Sequence, residues 1–290
     1  MLKRNLVRTG LLSPVLLLLF PIVTAMKGEL QNSNEKPLYI NWLKTHTSGS
    51  EASGYLISTK AYFANAPEVS LNKHASKFVK SFFVREEEAL DKTKKRSASY
   101  FKMIDGIFAK YNLPLELRYL AVVESYLKTN AVSKVGAKGM WQFMPQTARD
   151  LGLKITSKYD ERTHAYKSTV AAAKYLKDLH RQFGDWLLVV AAYNSGPGPV
   201  YNAIKKSGSK NFWALQYYLP AESRGHVKRF IGTHYYFEGT GSLVTMTKSE
   251  TTKYLKELEA FKELIQINES KKDSVVVVNF NSAETITMSK

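Results

Sequence analysis

Glu124 is a carboxylate in an apolar place. In ELRYLAVVESYL, residues 116–127, Leu117, Leu120 and Ala121 follow helical spacing, and Glu124 comes seven after Leu117 and four after Leu120. A helix here puts it on the leucine stripe. Burying an ionised carboxylate is costly unless it is paired, so a group so placed keeps its proton more readily. A glutamate that holds a proton near neutral pH is what general-acid chemistry needs. The pattern alone also admits a glutamate at the edge of the stripe, or one paired with a buried Arg or Lys. Its surroundings favour the chemical reading. Ser125 follows, then the loop KTNAVSKVGAKG, then MWQFMP, residues 140–145. A helix that delivers a half-buried acid to the rim of a glycine-containing turn makes a plausible cleft.

A second stretch, VVAAYNSGPGPV at 189–200, brings the Tyr193 hydroxyl and the Asn194 amide to a helix end that Gly196 and Pro197 must stop. Ser195 is not a hydrolase nucleophile on this pattern, because G-x-S-x-G is absent and no histidine is signposted as its base. The six histidines show no HExxH or comparable metal spacing. No metal and no cofactor are expected.

The elements that must hold these groups read as helices with short connections, an all-α domain. Residues 69–111 carry helical apolar spacing, interrupted by a solvated REEEALDKTKKRS face. A helix is expected from near Pro114 to Leu127 and another from Pro145 to Leu151, ending at Gly152. Ser168 is expected to cap a helix through Phe183, Trp186–Asn194 to form a short apolar helix, and Pro199 to open one that ends near Gly208. Residues 251–266 read as an amphipathic helix and SVVVVN at 274–279 as a strand.

Lys3, Arg4 and Arg8 precede an apolar run from Gly10 to Val23 and a small-residue exit at Ala25. That pattern predicts a signal peptide over 1–25 and export to the periplasm or cell envelope, with membrane association as the alternative. Residues 26–68 read as a polar N-terminal segment, 69–240 as the catalytic domain and 241–290 as a C-terminal extension. The chain has 290 residues, no cysteine and a formal charge of +17. Disulfides, thiolate metal sites and a lipid on cysteine are therefore excluded. Such charge in an exported protein suits polyanionic wall polymers or an anionic envelope surface, and nucleic acid is not expected as a partner. A monomer is expected.

ES at 124–125, GAKGMWQFMPQTA at 136–148, AAYNSGPG at 191–198 and LPAESRGHV at 219–227 together resemble the lytic transglycosylases of the SLT superfamily, membrane-bound lytic murein transglycosylase D type. DER at 160–162 and STVAAAKYL at 168–176 fit the same type. The resemblance spans roughly residues 75–240. It implies a lysozyme-like helical domain that cleaves peptidoglycan glycan strands between N-acetylmuramic acid and N-acetylglucosamine, with Glu124 as the single catalytic carboxylate. By motif position, Ser133, Gly139, Met140, Gln142, Phe143, Tyr193, Asn194, Glu222 and His226 are expected to line the cleft. Gly139 would let the backbone approach a sugar, Met140 and Phe143 would form apolar walls, and Gln142 would supply hydrogen bonds. Trp141 is expected in the core rather than as a sugar platform.

Two departures stand out. His226 stands where the family usually has Tyr, and Ser223 where it has Thr. Residues 240–290 show no LysM pattern. Two rival readings use the same residues. One is a goose-type lysozyme-like hydrolase with a water-activating acid such as Asp160 or Glu222. The other is a non-catalytic glycan-binding protein.

Overall fold

The computed structural model describes residues 67–264 and residue 267. The expected signal peptide, nearly all of the polar N-terminal segment and the expected strand at 274–279 lie outside the described residues. Among the described residues the chain is all-α, with β-structure confined to isolated bridges. No described helix is long and apolar enough to cross a membrane.

The first layer is a helical pair, α1 (Lys73–Arg96) and α2 (Ala98–Lys110). Ser97 divides them, and its hydroxyl donates to the Lys94 carbonyl at 2.8 Å. A 3₁₀ turn, Leu115–Arg118, leads into the short helix α3 (Tyr119–Ser125), so the expected single helix after Pro114 is split in two. Pro114 fixes an extended entry at φ −55 and ψ 133, and the chain tightens into 3₁₀ geometry before it relaxes to α. Arg118 anchors this corner, with Asp105 of α2 at 2.6 Å and Glu238 at 3.1 Å. Tyr119 also bonds Glu238 through its hydroxyl.

Helix α4 (Pro145–Asp150) starts on proline as expected, and Gly152 follows it at φ +85. Helix α5 spans Ala165–Phe183. His164, not Ser168, is its N-cap, while Ser168 is buried inside the helix with its hydroxyl on the His164 carbonyl. A serine that finds a carbonyl one turn back has no need to end the helix. Helix α6 (Trp186–Ser195) is apolar all round, and Leu187 through Ala192 are all fully buried. Such a helix belongs at the centre. Asp185 caps it by accepting from the backbone N–H groups of Leu187 and Leu188. Helix α7 (Pro197–Ser207) begins two residues before the expected Pro199, because Pro197 already occupies a first-turn position. Then come α8 (Phe212–Leu215) and the long α9 (Ala221–Glu238). Helix α9 packs against α1, α6 and α3, and α6 packs against α5 and α7.

Packing continues past Thr240. Val244 and Thr247 are buried, the Lys248 N–H donates to Asp185 at 2.6 Å, and Glu250 accepts from Asn72 at 2.6 Å. Residues 248–264 are helical, beginning three residues before the expected amphipathic helix.

Candidate active site

The site gathers at the C-terminal end of α3. Leu117, Leu120 and Ala121 are fully buried, as the stripe predicts, and Glu124 lies one turn further on with its side chain 15% exposed. The helix stops at once. Tyr126 and Leu127 both take positive φ, 53° and 64°, without a glycine. Residues with a Cβ adopt this conformation only when their surroundings hold them. Leu127 is buried in the core, the Tyr126 hydroxyl donates to Glu86 of α1 at 2.7 Å, and Arg96 of α1 donates to the Tyr126 carbonyl. This stop leaves Glu124 at the rim. Ser125 turns inward, and its hydroxyl donates to the Met140 carbonyl at 2.8 Å. The sequence offered no role for Ser125, although its place beside Glu124 was the available signal.

His226 of α9 faces Glu124, with Nε2 2.8 Å from Oε1. The imidazole is almost fully buried, and its Nδ1 is buried without a hydrogen-bond partner. The expected cleft residue is thus a direct neighbour of the acid. From α6, Tyr193 donates its hydroxyl to the Trp141 carbonyl at 2.8 Å. Burial, and then the negative charge of Glu124, push the Tyr193 phenol well above its usual range, so it stays a donor. Asn194 accepts from Ser223 of α9 at 2.9 Å through its amide oxygen, which leaves its NH₂ end for another partner.

The loop opposite is a small bridged turn. Lys138 pairs with both Val132 and Phe143. Several expected roles change here. Met140 is fully buried and Phe143 is 3% exposed, so their side chains are core and not groove walls. Gly139 is needed for protein packing: at φ +87 its backbone lies against Arg162, and an added Cβ would sit 1.9 Å from the Arg162 carbonyl oxygen. The Ser133 hydroxyl accepts the Ala137 N–H at 2.9 Å and closes the turn. Gln142 spends its amide nitrogen on the carbonyls of Gly139 and Ala131. Trp141 is in the core, as expected, with its indole N–H on Thr169 at 2.9 Å. Glu222 is exposed in the first turn of α9, one turn before His226.

The strut of this loop is Arg162, a residue whose role the sequence reading left unassigned. Its guanidinium donates to the carbonyls of Gly136 at 2.9 Å and Phe143 at 3.0 Å, and it grips Asp160 at 2.8 Å. Arg162, with Lys138 at 3.3 Å adding to it, holds the Asp160 carboxyl down at about 2. A carboxylate so held is a weak base and is already spoken for. It also titrates with folding. Its folded value lies below the unfolded value near 3.9, so its contribution is complete above about pH 4 and is lost as pH falls towards about 2. Urea midpoints measured from pH 5 to pH 2 should fall over that interval. The Asp160→Asn variant should start lower at pH 5 and show a shallower fall.

Residues 103–216 match the family model of the transglycosylase SLT domain. This part of the chain is similar to an SLT domain. Glu124, the bridged loop and α6 lie within the matched residues, while α9 with His226 lies beyond them. Membrane-bound lytic murein transglycosylase D of Escherichia coli K12 is 40% identical over 157 residues, which cover 52% of this chain and 34% of that protein. The peptidoglycan transglycosylase gp16 of Escherichia phage T7 is 35% identical over 137 residues, 44% of this chain and 10% of its own length. The chain therefore spans about a third of the first of these relatives. Among solved structures, the 70 kDa soluble lytic transglycosylase of Escherichia coli aligns with 26% identity and a TM-score of 0.43, over 50% of this chain and 26% of that one.

Proposed function

We propose that this protein is a peptidoglycan lytic transglycosylase that cleaves the β-1,4 bond between N-acetylmuramic acid and N-acetylglucosamine without consuming water. The observation that carries the reading is that Glu124, at the end of α3, bonds His226 and, among the described residues, is paired with no second carboxyl group. Hydrolytic glycosidases as a rule need two carboxylates at set separations. The candidates for a second one are poorly suited: Asp160 is committed to Arg162 and Lys138, and Glu222 stands exposed in the first turn of α9.

One acid then does two jobs. Protonated Glu124 gives its proton to the glycosidic oxygen as the bond to C1 breaks. The carboxylate so formed takes the proton of the C6 hydroxyl on the same muramic sugar. The C6 oxygen bonds to C1 and closes a 1,6-anhydro ring. The nucleophile is already part of the substrate, so proximity replaces the second carboxylate. In this reading the NH₂ end of Asn194, whose amide oxygen accepts from Ser223, donates to the carbonyl of the substrate's acetamido group, and Tyr193, bonded to the Trp141 carbonyl, stiffens the wall beside it. The apolar N-terminal run and the positive charge support export and work in the cell envelope, close to anionic polymers.

Digestion of purified sacculi followed by mass spectrometry tests the reaction. The expected muropeptides end in anhydromuramic acid and are lighter by one water than hydrolytic products. Reducing ends in their place would make the protein a hydrolase of the goose-type lysozyme kind.

A further inference from the structure

The contact between Glu124 and His226 fixes more than a distance. Imidazole has two neutral forms, and the neighbours decide between them. At Nε2 the neighbour is Glu124 Oε1, 2.8 Å away. At Nδ1 there is no partner, although the atom is buried. A proton on Nδ1 would be a buried donor with nothing to receive it, which folded proteins rarely tolerate. It would also turn the Nε2 lone pair towards Glu124. That arrangement suits a protonated Glu124 only if its O–H points at the histidine and away from the groove. Once Glu124 has given up its proton, two lone pairs would face each other. A proton on Nε2 avoids both conflicts, because N–H then donates to Oε1 whether the carboxyl is charged or neutral. An imidazolium would again place an unreceived proton on Nδ1.

We propose that His226 is a positioning residue for Glu124. It is held as the neutral Nε2–H tautomer, donates to Oε1, and confines the transferable proton to Oε2. One oxygen of the carboxyl is thereby reserved for hydrogen bonding inside the protein. The other delivers the proton to the leaving oxygen and recovers one from the C6 hydroxyl. The inference rests on the transglycosylase reading for its purpose, but the tautomer can be read without turnover.

The test has two arms, both on the full chain. In the first, the protein labelled with ¹⁵N-histidine is examined by long-range ¹H–¹⁵N correlation, with His226 assigned from its loss in His226→Gln. The expected spectrum has the proton on Nε2, and a proton on Nδ1 overturns the proposal. In the second, His226→Gln and His226→Asn are compared for release of anhydro-muropeptides. The Gln amide nitrogen reaches the position of Nε2, and the Asn nitrogen reaches only that of Nδ1. His226→Gln should keep kcat within about threefold, whereas His226→Asn should lose on the order of tenfold in kcat at unchanged KM, the loss expected for one charge-assisted hydrogen bond. Equal activity in the two overturns the proposal. If either variant fails to fold, the tautomer of the parent protein still decides. A parent that releases no anhydro product refutes the proposed reaction and leaves the tautomer result standing on its own.

Discussion

Glu124→Gln should abolish release of muropeptides while sacculus binding and the melting temperature stay close to those of the parent. The amide has the size of the acid but no transferable proton. General acid–base catalysis alone is worth about 10² to 10⁴ in rate, and here one group serves both proton transfers, so a loss of at least about 10³-fold is expected. The fold should not suffer. Glu124 is at the rim of the stripe and not inside it, and its one named partner, the Nε2 of His226, can bond the carbonyl oxygen of glutamine as it bonds the carboxylate. The measurement is product release by mass spectrometry beside a pull-down on intact sacculi. Turnover near the parental rate would remove Glu124 from its role. Lost binding would show instead that the carboxyl holds the glycan.

The second large effect is on stability. Gly139→Ala places a methyl group 1.9 Å from the carbonyl oxygen of Arg162 and 2.7 Å from its carbon, at a backbone φ of +87. Neither side yields easily. Arg162 is tied to Asp160, Gly136 and Phe143, and Gly139 is tied through its N–H to the Ala131 carbonyl at 2.9 Å. Overpacking costs about 1–3 kcal/mol and a side chain forced into the left-handed region adds about 1–2, so roughly 2–5 kcal/mol should be lost. For a domain of this size that is a fall of about 10 °C in melting temperature. Gly136→Ala is the comparison. Its φ is +90, but nothing lies within 4 Å of the added carbon, so only the backbone share of the cost should appear. Equal losses in the two variants would show that the contact with Arg162 is not what demands glycine.

The sequence exposed those features that break a local rule. Glu124 was visible because a charge stood on an apolar stripe, and the helix ends were visible where proline and glycine punctuate, at Pro145, Gly152, Gly196 and Gly208. The all-α class followed from the same spacing. Apolar residues beside the site were ambiguous for a physical reason. Met140 and Phe143 have the same chemistry as groove walls and as core, and only their burial tells the two apart. Gly139 announced a close approach but not the backbone of Arg162 that makes it. Arg162 stayed hidden because its partners at Gly136 and Phe143 are main-chain carbonyls, which every residue has. His226 could be seen as a departure from the family pattern, but its contact with Glu124 spans 102 positions of sequence and had no local sign.

The left-handed stop after α3 bears on how far the matched segment is portable. Tyr126 is moored to Glu86 and Arg96, and both belong to a helix that ends before the matched segment begins at residue 103. The recognisable signature is therefore smaller than the working device. A fragment cut at the limits of the signature would carry the acid and its loop, yet would lack the moorings of its helix on one side and His226 on the other. A substitution in α1, outside the matched residues, would thus reach the stop that holds Glu124 without altering a single signature residue.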